Sequence, residues 1–157
     1  MNSQTHFLFP FFLCLVLYKL QFVSLKLAFI AGFVGVLIDL DHYIEHIKHA
    51  KKNKFSIRDT WNNSEHFHKF PQRSSIHHET GATIITLLLI LTALMDYKIA
   101  LILAIAYYSH LYLDYLWVEK PHYMQMKFGK LYFRETHFEF VLDIILILAI
   151  IIIFIMP

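Results

Sequence analysis

The chain is poor in the residues that cross-link, interrupt or solvate a fold. Its 157 residues include one cysteine, four glycines and four prolines, and only 17% are charged. The lone Cys14 excludes an intramolecular disulfide framework, and inside an apolar run it reads as filler facing lipid or the bundle. Scarce glycine and proline argue against a linker-rich or disordered chain. No internal repeat or second domain is visible. What is abundant is apolar surface, with 57% hydrophobic residues and a mean hydropathy of +0.50. A chain of this length cannot bury that much in one water-soluble core, so lipid must cover part of it. The composition is that of an integral membrane protein.

A membrane-spanning helix needs about 20 largely apolar residues. Five stretches are candidates, at 7–23, 24–41, 80–96, 98–116 and 138–156. They predict an all-α, polytopic membrane bundle of about five transmembrane or membrane-embedded helices, one domain over 1–157. The last is clearest, because Ile144 to Leu148 and Ile150 to Ile153 form a long apolar run. The first two are parted by a tight turn near Lys19-Leu20-Gln21, which leaves open two full spans or a re-entrant hairpin. The start lacks a basic stretch and a small-residue cleavage site, so it reads as a retained helix and not a signal peptide. Two polar segments remain, 42–79 and 117–137. The first opens with Tyr43, Ile44, Ile47 and Ala50 set against Glu45, Lys48, Lys51 and Lys52, the pattern of an amphipathic helix on a membrane surface.

If five spans alternate, eleven lysines and arginines fall in the two polar segments, against Lys19, Lys26 and Lys98 on the other side. The positive-inside rule then places the polar segments and the N-terminus in the cytoplasm. On the same side arrive His6 before span one, Asp39, Asp41 and His42 at the end of span two, and His77, His78 and Glu79 before span three. His110 and Asp114 end span four there, and His137 with Glu139 opens span five. Ionisable groups at membrane depth are costly unless paired or coordinating, so their convergence marks a functional site.

Spacing sorts them. His110 and Asp114, four apart on a helix, share a face and can offer one nitrogen and one oxygen to a single ion. Asp39 and His42, three apart, also share a face. Asp41 points elsewhere, able to bridge a second ion or to hold an imidazole. Of the adjacent His77 and His78, one is expected to be a ligand and the other interfacial. His46 and His49, among lysines, are expected at the surface, and His66, His68 and His122 have no partner spacing. Met124, Met126 and Tyr123 read as interfacial packing. Arg73, just before Ser74-Ser75 and a helix start, is a candidate phosphate-binding guanidinium.

Together, Thr5-His6, Leu37-Ile-Asp39-Leu-Asp41-His42, Arg73-Ser-Ser-Ile-His77-His78-Glu79 and Ser109-His110-Leu-Tyr-Leu-Asp114 resemble the YdjM-type membrane-bound metal-dependent hydrolases, over residues 5 to about 117. The chain is also distantly similar to the helical zinc-dependent phospholipase C and single-strand nuclease group. That likeness implies His6, Asp41 or Asp39, His78, His110 and Asp114 as metal ligands. The family commonly has a His-Arg pair before Thr-His-Ser, whereas here Gln72-Arg73 precedes His77-His78-Glu79. No second His-x-x-x-Asp/Glu pair is present, so a mono- or dinuclear site is expected instead of a trinuclear one.

A nitrogen and oxygen ligand set suits zinc above all, or manganese or iron, and such an ion acidifies a coordinated water. Asp39 or Glu79, if not needed as a ligand, would act as general base. The expected activity is hydrolysis of a phosphoester in a lipid or lipid-linked substrate, with no nucleic-acid partner. The alternative is a non-catalytic metal-binding or interaction membrane protein. A membrane di-iron oxygenase is disfavoured because its His-x-x-His-His boxes are missing. Transport is disfavoured because only Asp143 lies within an apolar span.

Overall fold

The computed structural model describes residues 2–70, 74–115 and 123–155. Helix α1 (Ser3–Lys19) and helix α2 (Leu25–Leu37) form an antiparallel hairpin. They turn at Gln21, whose φ of 59° is left-handed, and Ser24 caps α2 by accepting the Leu27 N–H. The pair packs closely because the α2 face toward α1 is built of buried Ala28, Ala31, Gly32 and Gly35, spaced to one side of the helix. A β-carbon on Gly35 would collide with the His6 carbonyl oxygen, and one on Gly32 would stand 2.7 Å from the Phe7 ring. Phe11, Cys14 and Leu15 of α1 then interlock with Ala28 and Ala31 and with Ile102 and Ala106 of a later helix. Cys14 therefore faces the bundle.

After a two-residue break at Ile38-Asp39, α3 (Leu40–His49) forms where an amphipathic helix was expected. Its polarity is inverted relative to a water-soluble helix. Asp41, Glu45 and His46 are buried, while Leu40 and Ile44 are exposed. His46, expected at the surface among lysines, is thus a correction: the helix turns that face inward, and only His49 remains exposed.

The short α4 (Ile57–Asn62) is capped by Ser56, whose hydroxyl accepts the Asp59 N–H. It continues into a π-type turn, Asn63–Phe67, that stops at His68 with a left-handed φ of 44°. A single 3₁₀ turn, Ser75–His77, leads into α5 (Glu79–Met95). Asp96 then caps α6 (Tyr97–Tyr115) by accepting the N–H groups of Lys98 and Ile99. Helix α6 packs on α1, α2 and α5.

Between α6 and the last helix the structure holds an antiparallel hairpin, β1 (Tyr123–Phe128) and β2 (Leu131–Thr136), paired from Tyr123↔Thr136 to Phe128↔Leu131. This corrects the all-α expectation. Gly129, with φ of 60°, supplies the positive φ that a two-residue hairpin loop requires at its first position. The hairpin is held by α4: Asn62 donates to the Lys130 carbonyl and accepts the Tyr132 N–H, and the Trp61 indole donates to the Tyr132 carbonyl. Helix α7 (His137–Ile155) starts with a capping box. Thr136 Oγ1 accepts the Glu139 N–H while Glu139 Oε2 accepts the Thr136 N–H. The other Glu139 oxygen accepts the Asn2 N–H, fastening α1 to α7.

Two helical stretches are long and apolar enough to span a bilayer: Leu25–His49, which is α2 and α3 together, and His137–Ile155. Among the described residues, two of the five expected spans, 24–41 and 138–156, fall on these stretches. Helices α1 and α5 have 17 residues each, and the histidine, aspartate and tyrosines of α6 dilute its hydropathy. The surface is nevertheless inside out. On α5 the side chains of Leu87, Leu88, Leu91 and Leu94 are exposed, and on α7 Ile145, Leu148 and Ile152 are exposed while Glu139 and Asp143 are buried. Thr83, Thr86 and Thr92 each donate their hydroxyl to the carbonyl four residues back, so α5 leaves those groups satisfied within itself. Water does not stabilise such a surface, whereas hydrocarbon does.

Candidate metal centre

The α1–α2 hairpin and the α5–α6 pair all bring their polar ends to one end of the bundle. His6 comes from the first turn of α1, Asp39 from the break after α2, Asp41 from the start of α3, His77 from the 3₁₀ turn, and His110 and Asp114 from the last turns of α6. His6 and His110 are fully enclosed, and Asp41, His77 and Asp114 are buried.

Each histidine is oriented from behind. His110 Nδ1–H donates to the Gly35 carbonyl at 2.8 Å, and His77 Nδ1–H donates to Asp41 Oδ2 at 2.8 Å. These partners settle the tautomers, since a carbonyl and a carboxylate can only accept. Both Nε2 atoms then point into the cluster, and they face each other at 2.9 Å. Asp114 Oδ2 stands 3.6 Å from His77 Nε2 and 3.9 Å from His110 Nε2. Donors bound to one tetrahedral ion at about 2.0–2.2 Å are separated by roughly 3.3–3.6 Å. The three sides, 2.9, 3.6 and 3.9 Å, straddle that range.

A second set overlaps the first. His6, Asp39 and His110 place donor atoms within 4.8 Å of one another, as His77, His110 and Asp114 do. Asp39 Oδ1 is 3.5 Å from His110 Nε2, and the His6 ring stacks on His110 with centroids 3.9 Å apart. His6 Nε2 lies 3.3 Å from Asp114 Oδ1, off hydrogen-bond geometry, and neither nitrogen of this buried ring makes a hydrogen bond. Asp41 Oδ1 is likewise buried without one. Orphaned nitrogens in a buried, carboxylate-rich cluster fit a divalent ion, and a nitrogen–oxygen donor set without sulfur suits zinc, manganese or iron.

Backing groups complete the frame. The Ser74 N–H donates to Asp41 Oδ2 at 2.9 Å, Tyr115 donates to the His77 carbonyl, and Tyr107 donates to the Ile76 carbonyl. Together they hold the 3₁₀ turn against α6. Such supports fix ring orientation as the ligands themselves cannot.

The structure brings together His6, Asp39, Asp41, His110 and Asp114 from the expected set. His42 lies at the edge, its Nε2 3.5 Å from Asp39 Oδ1 and its Nδ1 3.9 Å from Asp41 Oδ1. Of the adjacent pair, the structure places His77 in the cluster and His78 outside it. The 3₁₀ turn ends at His77 and the chain is extended at His78 (φ −107°, ψ 165°), which leaves His78 exposed. Glu79 opens α5, exposed, with no contact to the cluster among the described residues. Arg73 and His122 lie outside the described residues. Gly35 and Ser74, unforeseen, act through backbone atoms. A small-residue stripe at 28, 31, 32 and 35 is the only local trace of the first.

Beside the centre a cavity of about 370 Å³ is lined by Asp39 and His42 on one side and by Val36, Leu40, Tyr43, Ile57 and Trp61 on the other. Leu40 and Ile57 are exposed at its rim.

The family model described as YdjM inner membrane protein matches residues 1–126. No curated protein and no solved structure matches the chain.

Proposed function

For this chain, which belongs to the YdjM inner membrane protein family, we propose a membrane-bound metal-dependent hydrolase of a phosphoester in a lipid or lipid-linked substrate. The observation that carries the reading is the convergence of the His77 and His110 Nε2 atoms at 2.9 Å beside Asp114, each ring oriented through Nδ1. His77, His110, Asp114 and His6 would hold the ion, with Asp39 beside them. A divalent ion in such a site supplies Lewis acidity, polarising a phosphoryl or carbonyl oxygen and acidifying water.

The remaining work falls to the chain. Asp39, whose carboxylate borders both the cluster and the cavity, is placed to take a proton. Asp41 and the Gly35 carbonyl keep the two imidazoles turned inward. Val36, Leu40, Tyr43, Ile57 and Trp61 give the cavity an apolar wall for a hydrocarbon tail, while its polar end meets Asp39 and His42. That amphiphilic character favours a lipid-derived substrate over a soluble one. The eleven lysines and arginines of segments 42–79 and 117–137 favour a cytoplasmic site and a cytoplasmic N-terminus. A bundle of about five membrane-embedded helices fits the exposed apolar faces of α5 and α7.

The test is elemental analysis of the detergent-purified chain beside the His110→Ala/Asp114→Ala double variant, followed by a screen of phosphoester lipids for phosphate or alcohol release. Stoichiometric metal lost in the variant, with metal-dependent hydrolysis, is expected. Metal without hydrolysis would leave a metal-binding interaction protein, and no metal in either would sink the reading.

A further inference from the structure

Helices α2 and α3 follow one another as a single stretch, Leu25–His49, long and apolar enough to cross a bilayer. Its outer face is one apolar stripe: Phe29, Phe33, Leu37, Leu40 and Ile44, at steps of three and four residues, are all exposed. The inner face changes character at the break. Ala28, Ala31 and Gly35 are buried before it, and Asp41 and Glu45 after it. No lysine or arginine falls between Lys26 and Lys48, both exposed, and the roughly 20 residues that part them have the length of a span. Lysine heads reach for the headgroup level. Leu40 stands about 12 Å of helix short of Lys48, on the hydrocarbon side of it.

Leu40 of this stripe also lines the cavity beside Asp39 and His42. It forms one lip, 53% exposed, and Ile57 of α4 forms the other, 75% exposed. Tyr43 donates its hydroxyl to the Phe55 carbonyl at 3.2 Å, which ties α3 to the approach of α4. The Trp61 indole N–H is engaged by the Tyr132 carbonyl, so what remains of that side chain is apolar wall. The cleft between α3 and α4 thus grades from ionisable at Asp39 and His42 to apolar at Val36, Leu40 and Ile57.

Size limits what the cleft takes in. Its volume of about 370 Å³ is at the lower end of the range for ligand sites, enough for a headgroup and the first carbons of a chain but not for a whole two-chain lipid. The rest of such a molecule stays outside, and an apolar remainder is stable only where the mouth meets hydrocarbon. A substrate arriving from water has no use for an apolar rim. Exposed Leu40 and Ile57, continuous with the lipid-facing stripe of α2, fit the first case.

We propose that the α3–α4 cleft is a lateral portal: a lipid of the surrounding leaflet passes its headgroup between Leu40 and Ile57 toward Asp39 and His42 while its acyl chains stay in the bilayer. Helix α3 is then embedded at the edge of the hydrocarbon, with its outer side against lipid, and does not merely lie on the membrane surface. The portal deepens the lipid-substrate reading and rests on it for what happens at the inner end. Entry of the lipid itself needs neither metal nor turnover.

Fluorescence of Trp61 on the cleft wall tests it, in the full chain reconstituted into vesicles of phosphatidylglycerol brominated on the upper acyl chain. Trp117→Phe leaves Trp61 the only tryptophan. Bromine quenches an indole it touches, so Trp61 should be quenched relative to unbrominated vesicles. The quenching should be lost in Leu40→Asp/Ile57→Asp, which charges both lips, and kept in Phe55→Asp, an equally exposed position that does not line the cleft. Circular dichroism checks the fold, and Leu40→Ser/Ile57→Ser replaces the charged pair if that pair does not fold. An unquenched Trp61 overturns the portal, leaving a cleft closed to lipid. Quenching that survives both lip variants overturns it as well, since lipid then reaches Trp61 by another way, and so does an equal loss in Phe55→Asp, which would reflect general withdrawal of the segment from the membrane. Quenching without any lipid hydrolysis would sink the hydrolase and keep the portal, whereas hydrolysis without quenching would do the reverse.

Discussion

The Nε2 atoms of His77 and His110 stand 2.9 Å apart, although the two residues are separated by the whole α5–α6 hairpin. Each Nδ1 is committed elsewhere, to Asp41 Oδ2 in His77 and to the Gly35 carbonyl in His110, so each ring turns its Nε2 inward. In the proposed centre these two nitrogens would serve one cation.

His77→Ala should therefore lose bound metal, while His78→Ala, one residue on and exposed, should retain it. Elemental analysis of the two purified variants distinguishes them directly. Equal loss in both would place the wrong histidine in the centre.

Asp41→Asn keeps the shape of the side chain but weakens its hold on His77. Removing such a backing carboxylate typically lowers metal affinity about 10–100-fold, and a competition titration against a chelator should show a fall of that size. An unchanged affinity would mean that the Tyr115 bond to the His77 carbonyl is enough to hold that residue.

Gly35→Ala puts a methyl group against the His6 carbonyl and pushes α1 away from α2. Overpacking of this kind costs about 1–3 kcal/mol. Because His6 and the Gly35 carbonyl both belong to the centre, thermal stability and metal content should fall together. Loss of either one alone would separate the packing role from the site.

Glu135 on β2 is held above the usual carboxylate range, first by burial and then by the neighbouring Asp143 and Glu139 charges, against a lowering hydrogen bond from Gln4. A carboxyl whose folded pKa is raised binds its proton more tightly in the folded state, so its cost is greatest above the raised value and is relieved as pH falls through it. Glu135→Gln should raise the midpoint of thermal unfolding at neutral pH, and the gain should shrink on acidification. A gain that stays constant with pH would remove titration as its cause.

Much of this was readable in the residues. Asp114 four after His110 and Asp39 three before His42 are helix-face spacings, and the apolar stretches between them dictated which end of the bundle each would occupy. The capping box Thr136-His-Phe-Glu139 and the Gly129 turn were not singled out from the sequence and emerge with the hairpin they bound. The polar composition of 117–137 hid the alternation of two short strands, whose stability comes from Asn62 and Trp61 some seventy residues away. His46 was misread for a similar reason: lysines beside it in sequence lie on other faces of α3.

By itself the sequence determined that this chain belongs in a membrane, and that histidines and aspartates gather where its helices end, because hydropathy and helical period are local properties. Only the tertiary structure decided between His77 and His78, turned Asp41 into the support of an imidazole, and made the Gly35 backbone part of the centre. Adjacent residues in a turn have no shared period to betray their directions, and a backbone carbonyl is the same in every residue type.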